Sequence, residues 1–207
     1  MAENQADREL AALRLALAAA RWPLRLYDDY ADNKAGWEVG EDEDDLSTTR
    51  QEVKGGKYRW QAQARDGFGW WLCAPVDNLG DFCLSVEVRQ VPGEALAEYG
   101  VVYRVDGDDC YAFALRDDGR ATVWLEVGEE RRTLLEANVA DALRAGEENR
   151  LTVVGFGRHF VFLANEKVVG ELDDGTLAHG KVGLLMGLEK AGDSAAVEFG
   201  RFELRGL

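Results

Sequence analysis

The sequence predicts an all-β sandwich of two antiparallel sheets preceded by one N-terminal α-helix. Three observations carry this. Ten or more short segments alternate branched or aromatic residues with polar ones. Asp/Gly turn signals separate them. A single Ala/Leu/Glu/Arg-rich stretch stands at the start.

Residues 3–21 form the expected helix. Leu10, Leu13 and Leu17 share one face at the 3.6-residue period. Pro23 ends it, because the residue before a proline is pushed out of the α region. Residues 1–22 are therefore one unit and residues 23–207 the sandwich. Leu15 lies off the stripe, so the helix has apolar surface to spare. It is expected to dock on the domain behind it or on a partner chain.

From Leu24 the pattern turns to strands. They are read over 57–63, 82–89, 99–105, 111–116, 121–127, 151–156, 160–163, 182–186, 196–199 and 202–204. Asp106-Gly-Asp-Asp109, Asp117-Asp-Gly119, Asn165-Glu166 and Asp173-Asp-Gly175 are turns. Residues 136–146 read as a short helix or a crossing loop. Residues 38–52 hold seven acids and one Arg, a net of −6, and read as a mobile surface loop.

Composition excludes several functions. The 207 residues carry 24 Lys plus Arg against 39 Asp plus Glu, a net charge of −15. Phosphate neutralisation needs a basic stripe, and the longest basic cluster is Arg131-Arg132, so nucleic acid is not an expected partner. No run of 18 apolar residues exists, so membrane insertion is not expected. Glu3, Asp7 and Glu9 make the leading segment acidic, and Arg14 interrupts the apolar stretch, unlike a secretory signal. The expected location is cytoplasmic as the chain stands, and extracellular if it is a fragment of a longer protein. Cys73, Cys83 and Cys110 are odd in number and lack CxxC spacing, so they read as buried free thiols.

Several residues then line up in order. Trp37 follows an Asp/Asn-rich stretch, and Asp81-Phe82 opens a long strand. Tyr99-Gly-Val-Val-Tyr-Arg104 precedes Tyr111-Ala-Phe113 and Asp117-Asp-Gly119. Asn149-Arg-Leu151, Asn165, Gly180-Lys-Val-Gly-Leu184 and Val197-Glu-Phe-Gly-Arg-Phe202 complete the series. This order resembles the concanavalin A-like lectin/glucanase superfamily, closest to laminin-G-like bacterial jelly-roll modules. The likeness covers about residues 24–207 and excludes the helix. It implies a jelly roll with one concave sheet, whose face or rim loops bind the ligand. It implies a fold and no single activity.

Catalysis is weakly supported. The glucanases of that superfamily carry Glu-x-Asp-x-x-Glu on one strand, which places carboxylates on one face. No such motif occurs, and Glu126-Val-Gly-Glu129-Glu130 lacks the central Asp. The three Ser residues are outside any Gly-x-Ser-x-Gly. Two His residues are too few for a zinc site of ordinary type. No organic cofactor is expected. Calcium suits hard carboxylates, and the resemblance places it at loop rims; Asp28, Asp29, Asp106, Asp108 and Asp109 are the candidates, with solvated turns as the competing reading.

Aromatics offer the better site. Trp70 and Trp71 are adjacent, so in a strand they face opposite sides. Phe68 lies between Gly67 and Gly69, which reads as an exposed aromatic turn. The expected function is a non-catalytic recognition module for a glycan or polypeptide. Its contacts would be Phe68, Trp70, Trp71 and Trp124, with Arg104 and Arg116 as donors. The alternatives are an assembly protein docking through Leu10, Leu13 and Leu17, and, least favoured, a glycoside hydrolase.

Overall fold

A computed structural model describes residues 4–76, 78–93 and 95–207, and of Phe68 the backbone alone. The side chain of Phe68, expected as a contact, and Glu3 at the predicted helix start thus lie outside the described residues. The Asn4 side-chain oxygen accepts the Asp7 N–H at 3.0 Å and starts α1 (Gln5–Ala19). No helix is long and apolar enough to cross a membrane among the described residues.

Among the described residues fifteen strands follow: β1 (Leu24–Asp28), β2 (Gly40–Glu43), β3 (Ser47–Val53), β4 (Tyr58–Ala64), β5 (Phe68–Cys73), β6 (Phe82–Gln90), β7 (Glu98–Asp106), β8 (Asp109–Arg116), β9 (Arg120–Val127), β10 (Glu130–Asn138), β11 (Asn149–Phe156), β12 (His159–Ala164), β13 (Lys167–Asp173), β14 (Lys181–Leu188) and β15 (Ser194–Gly206). Nine form one sheet in the order β13-β12-β11-β6-β15-β4-β3-β2, with β1 also on β15. Six form the other, β10-β9-β8-β7-β14-β5. Every pairing between these strands is antiparallel, as the sequence predicts.

Period-two alternation sends one face of each sheet into a shared core. Tyr58, Trp60, Phe82, Leu84 and Val86 from the first sheet meet Tyr99, Tyr103, Tyr111 and Phe113 from the second. Tyr103 and Tyr111 stack at 5.3 Å, and Tyr103 packs on Phe160 at 5.2 Å. The two closing segments of the sequence are one strand, β15, with a register shift between Phe199 and Phe202. Before the shift β15 pairs with β4, and after it with β1.

Four local expectations change. The acidic segment 38–52 is ordered as the hairpin β2–β3 at the sheet edge, its β2 residues all exposed. Charge on an edge strand is compatible with pairing on its one bonded side. Residues 67–71 are not an aromatic turn, because 68–71 open strand β5. Residues 136–138 finish β10, and the rest of that stretch is a crossing loop. The helix turns a different side inward. Ala12 and Ala19 are buried against Cys83, Val154, Val161 and Leu163 on the outer face of the nine-stranded sheet. Small residues let the helix sit close to branched side chains of the sheet. Leu10 and Leu17 stay 47% and 68% exposed, and Leu13 is half-buried at the margin.

Candidate functional site: the outer face of the six-stranded sheet

Outward-facing residues of an open sheet normally meet water. Here Val102, Cys110, Ala112, Ala114, Trp124 and Leu185 point out of the sandwich yet are 0–2% exposed. The cause is curvature. Cα atoms of β5 and β7 approach within 8 Å although β14 lies between them; two flat spacings would be about 9.6 Å. Glycine permits the bend. A Cβ on Gly183 would collide with the Leu72 carbonyl, and one on Gly100 with the Phe113 carbonyl. The neighbouring strands rise toward this side, and the face is concave.

Charged and aromatic side chains stand around this floor. The Arg131 guanidinium lies 4.1 Å above the Trp124 ring and binds Glu126 Oε2 through Nη2 at 2.7 Å and Nε at 2.8 Å. Arg116 pairs with Glu189 and, at 3.3 Å, with Asp118. Trp71, opposite Leu185 on β14, is half-buried on the same face. A cavity of about 350 Å³ opens between Gly67, Gly69, Glu98, Arg131, Gly187, Leu188 and Glu189. A larger hollow of about 590 Å³ at Arg25, Ala74, Pro75, Val76, Leu79 and Lys181 has no aromatic platform.

Glu98 is the distinctive member. It starts β7 and shares the outward side with Gly100 and Val102. Burial pushes its carboxyl above the ordinary 4.5; Arg131 and Arg116 pull down against that, and Glu189 pushes up. The Trp124 indole N–H also favours the anion, yet stops short of full hydrogen-bond geometry and has no other partner. A carboxyl raised in the folded state binds its proton more tightly there. Its charge therefore removes stability as pH rises through the raised value. Glu98→Gln is expected to raise the thermal midpoint by about 2 °C at pH 7. That gain should vanish below about pH 4; equal midpoints at pH 7 would contradict the burial argument.

The sequence-selected residues divide. Trp71, Trp124 and Arg116 share the concave face. Trp124, however, is 2% exposed beneath Arg131, so it supports the floor and offers no open ring. Trp70 pairs with Met186 and so faces the other way, hanging 53% exposed from edge strand β5. Arg104 is a correction. It is buried at a register shift in β7, where its guanidinium donates to the carbonyls of Leu177 (2.7 Å), Gly80 (3.0 Å) and Gly157. Glu98, Arg131 and Glu189 were not selected as site residues, and Glu126 was weighed only as part of an acidic stretch lacking the glucanase motif. Glu126 and Trp124 are two apart on one strand and so share a face, a signal the sequence contained.

The metal candidates are mostly turn acceptors. Asp28 is buried, its two oxygens taking the Tyr30 N–H at 2.7 Å and the Trp37 indole N–H at 2.8 Å, which corrects its assignment as a ligand. Asp29 accepts the Ala31 N–H and Asp109 the Gly128 N–H. Asp106 and Asp108 flank Gly107 in the β7–β8 turn. Among the described residues, no three His, Cys, Asp or Glu side chains converge as a metal site.

Comparison with known proteins agrees with this architecture. No protein-family model matches the chain, and no curated protein matches it by sequence. Solved structures do match. A carbohydrate-binding module, CBM66 from Bacillus subtilis, superposes with a TM-score of 0.64 at 15% identity, over 84% of this chain and 98% of that one. A B. subtilis protein of unknown function with a galectin-like fold gives 0.64 at 10% identity, over 88% and 96%. A β-glucanase from Bacillus licheniformis gives 0.56 at 8% identity, over 88% and 98%. The likeness defines the class of fold, a jelly-roll sandwich of two antiparallel sheets. At such identities it carries the fold alone.

Proposed function

We propose that the protein is a non-catalytic glycan-recognition module that binds on the concave face. The observation that carries this reading is the hollow itself. It is rimmed by fixed Arg and Glu side chains, and the half-buried Trp71 ring stands on the same face of the sheet, two residues along β5 from the lining Gly69. Sugars present apolar C–H faces to aromatic rings and hydroxyls to charged acceptors and donors. The fold shared with a carbohydrate-binding module supports the same reading. A polypeptide is the alternative ligand for the same concave face. Trp71→Ala is expected to weaken glycan binding about thirtyfold, as for a central aromatic anchor. Calorimetry against the best ligand of a glycan panel measures this. Absence of saturable binding across the panel, or unchanged affinity of the variant, would overturn the proposal.

One observation favours a second reading. Glu98 holds its proton more tightly than an ordinary Glu, while Glu126 on the same face is ion-paired to Arg131. Sugar cleavage needs two carboxyls in different states. Reducing-sugar release that is lost in Glu98→Gln would replace recognition by hydrolysis. The exposed Leu10 and Leu17 keep assembly through the helix as a further alternative.

A further inference from the structure

We propose that the sugar unit seated over Glu98 carries a protonated amine, so that the ligand is a de-N-acetylated amino-sugar polymer. This rests on the glycan-binding reading above. The polar side chains lining the cavity are Glu98, Arg131 and Glu189, set among Gly67, Gly69 and Gly187. Both nearby cations are already engaged. Arg131 is held by Glu126 and by the Trp124 ring, and Arg116 by Glu189 and Asp118. Glu98 makes no ion pair among the described residues. Four carboxylates (Glu98, Glu126, Glu189, Asp118) thus face two guanidiniums.

A second observation comes from the floor. Trp124 is 2% exposed, and its indole N–H makes no hydrogen bond to Glu98 or to any other described residue. Glu98 therefore lacks donors both from the floor and from the rim. An ammonium brings three N–H donors and a full opposite charge to that carboxylate. A hydroxyl brings one donor and no charge. A uronate or sulfate adds like charge and is disfavoured, and N-acetylation removes the cation. The chain's net charge of −15 attracts such a polymer from a distance.

The test uses calorimetry with three β-1,4-linked tetrasaccharides at pH 6 and low salt: the glucosamine oligomer, its N-acetylated form and cellotetraose. The first and last differ at C2 alone, ammonium against hydroxyl. The glucosamine oligomer is expected to bind about tenfold tighter than either of the others. Glu98→Gln should erase that ratio, and Glu98→Asp should keep part of it. Glu41→Gln, on the distant edge strand, should leave it intact, which separates a local contact from general attraction to an acidic protein. The preference should also fade above the pH at which the amine loses its proton. Equal binding of the glucosamine oligomer and cellotetraose, with Trp71→Ala still weakening both, overturns this inference and leaves glycan recognition standing. A preference that survives Glu98→Gln in a variant that still melts cooperatively, at or above the native midpoint, overturns it as well. No binding by any tetrasaccharide or panel glycan overturns both.

Discussion

Arg104→Ala is expected to destabilise the sandwich by about 3–5 kcal/mol, lowering the thermal midpoint by roughly 10 °C. The side chain is 1% exposed and closes one end of the core. Its guanidinium donates to three carbonyls from separate segments and lies 4.6 Å from the centre of the Phe160 ring. Burial pulls its pKa below the ordinary arginine value, while Tyr111, Asp81 and Tyr103 push it back up. Truncation would leave buried carbonyls without donors and a void beside Phe160. Arg104 also holds a left-handed backbone, φ 51°, a conformation that costs about 1 kcal/mol and persists because these contacts over-determine it. Thermal unfolding followed by circular dichroism measures the effect. A shift under about 2 °C would mean the three contacts are replaceable by water. Glycan affinity of the folded variant should be unchanged, since Arg104 is not on the concave face.

The second large effect concerns the helix. Ala19→Asp is expected to lift α1 from the sheet. Ala19 is fully buried against the cluster containing Cys83. Keeping an unpaired carboxylate there would cost about 3 kcal/mol, and undocking one helix is the easier escape. Thiol chemistry reports the outcome. Cys73 is exposed, whereas Cys83 and Cys110 are buried, with thiols pushed up to about 11 and about 12. Burial leads in both; Glu203 adds to the first and Glu126 to the second. The native protein should therefore release one equivalent of chromophore promptly with a disulfide reagent, and Ala19→Asp two. A single fast thiol in a variant that melts like the native chain would show that the helix does not cover Cys83.

Legibility in the sequence followed apolar alternation: β3, bonded on both sides, was read as loop because its inward Ser47, Thr49 and Gln51 are polar. Strands β6, β7, β8, β9, β11, β12 and β14 lie inside their sheets or next to the core, and each was read from its Val, Phe and Tyr residues. Strands β2, β10 and β13 are terminal strands of their sheets, bonded on one side. With less surface to bury, Gly40-Glu-Asp-Glu43 and Glu130-Arg-Arg-Thr133 need no apolar period. Missing β10 also concealed Arg131, whose place on the concave face depends on its pairing with Glu126. The helix boundaries were legible from Pro23 and composition. Its inward side was not, because a leucine stripe outscores alanines by hydrophobicity although alanines permit the closer approach. Trp71 was legible by alternation with Trp70. The concavity was not, because Gly100 and Gly183 reveal their role only when neighbouring carbonyls are in place.

The acidic hairpin has a consequence for colloidal behaviour. Its outer strand offers unpaired backbone donors and acceptors along Gly40–Glu43, a template on which a second molecule could continue the nine-stranded sheet. Two such edges brought together would oppose Glu41, Asp42 and Glu43 with acids of the same sign; Arg50 and Arg65 offset Glu41 and Glu43 in part, and the remaining repulsion keeps the edges apart. That barrier is made of charge alone, so its reach is the Debye length, about 8 Å at physiological ionic strength and about 3 Å in molar salt. Protection against edge-to-edge growth is thus a property of the surrounding electrolyte as much as of the fold, and brine weakens it without touching a single internal contact.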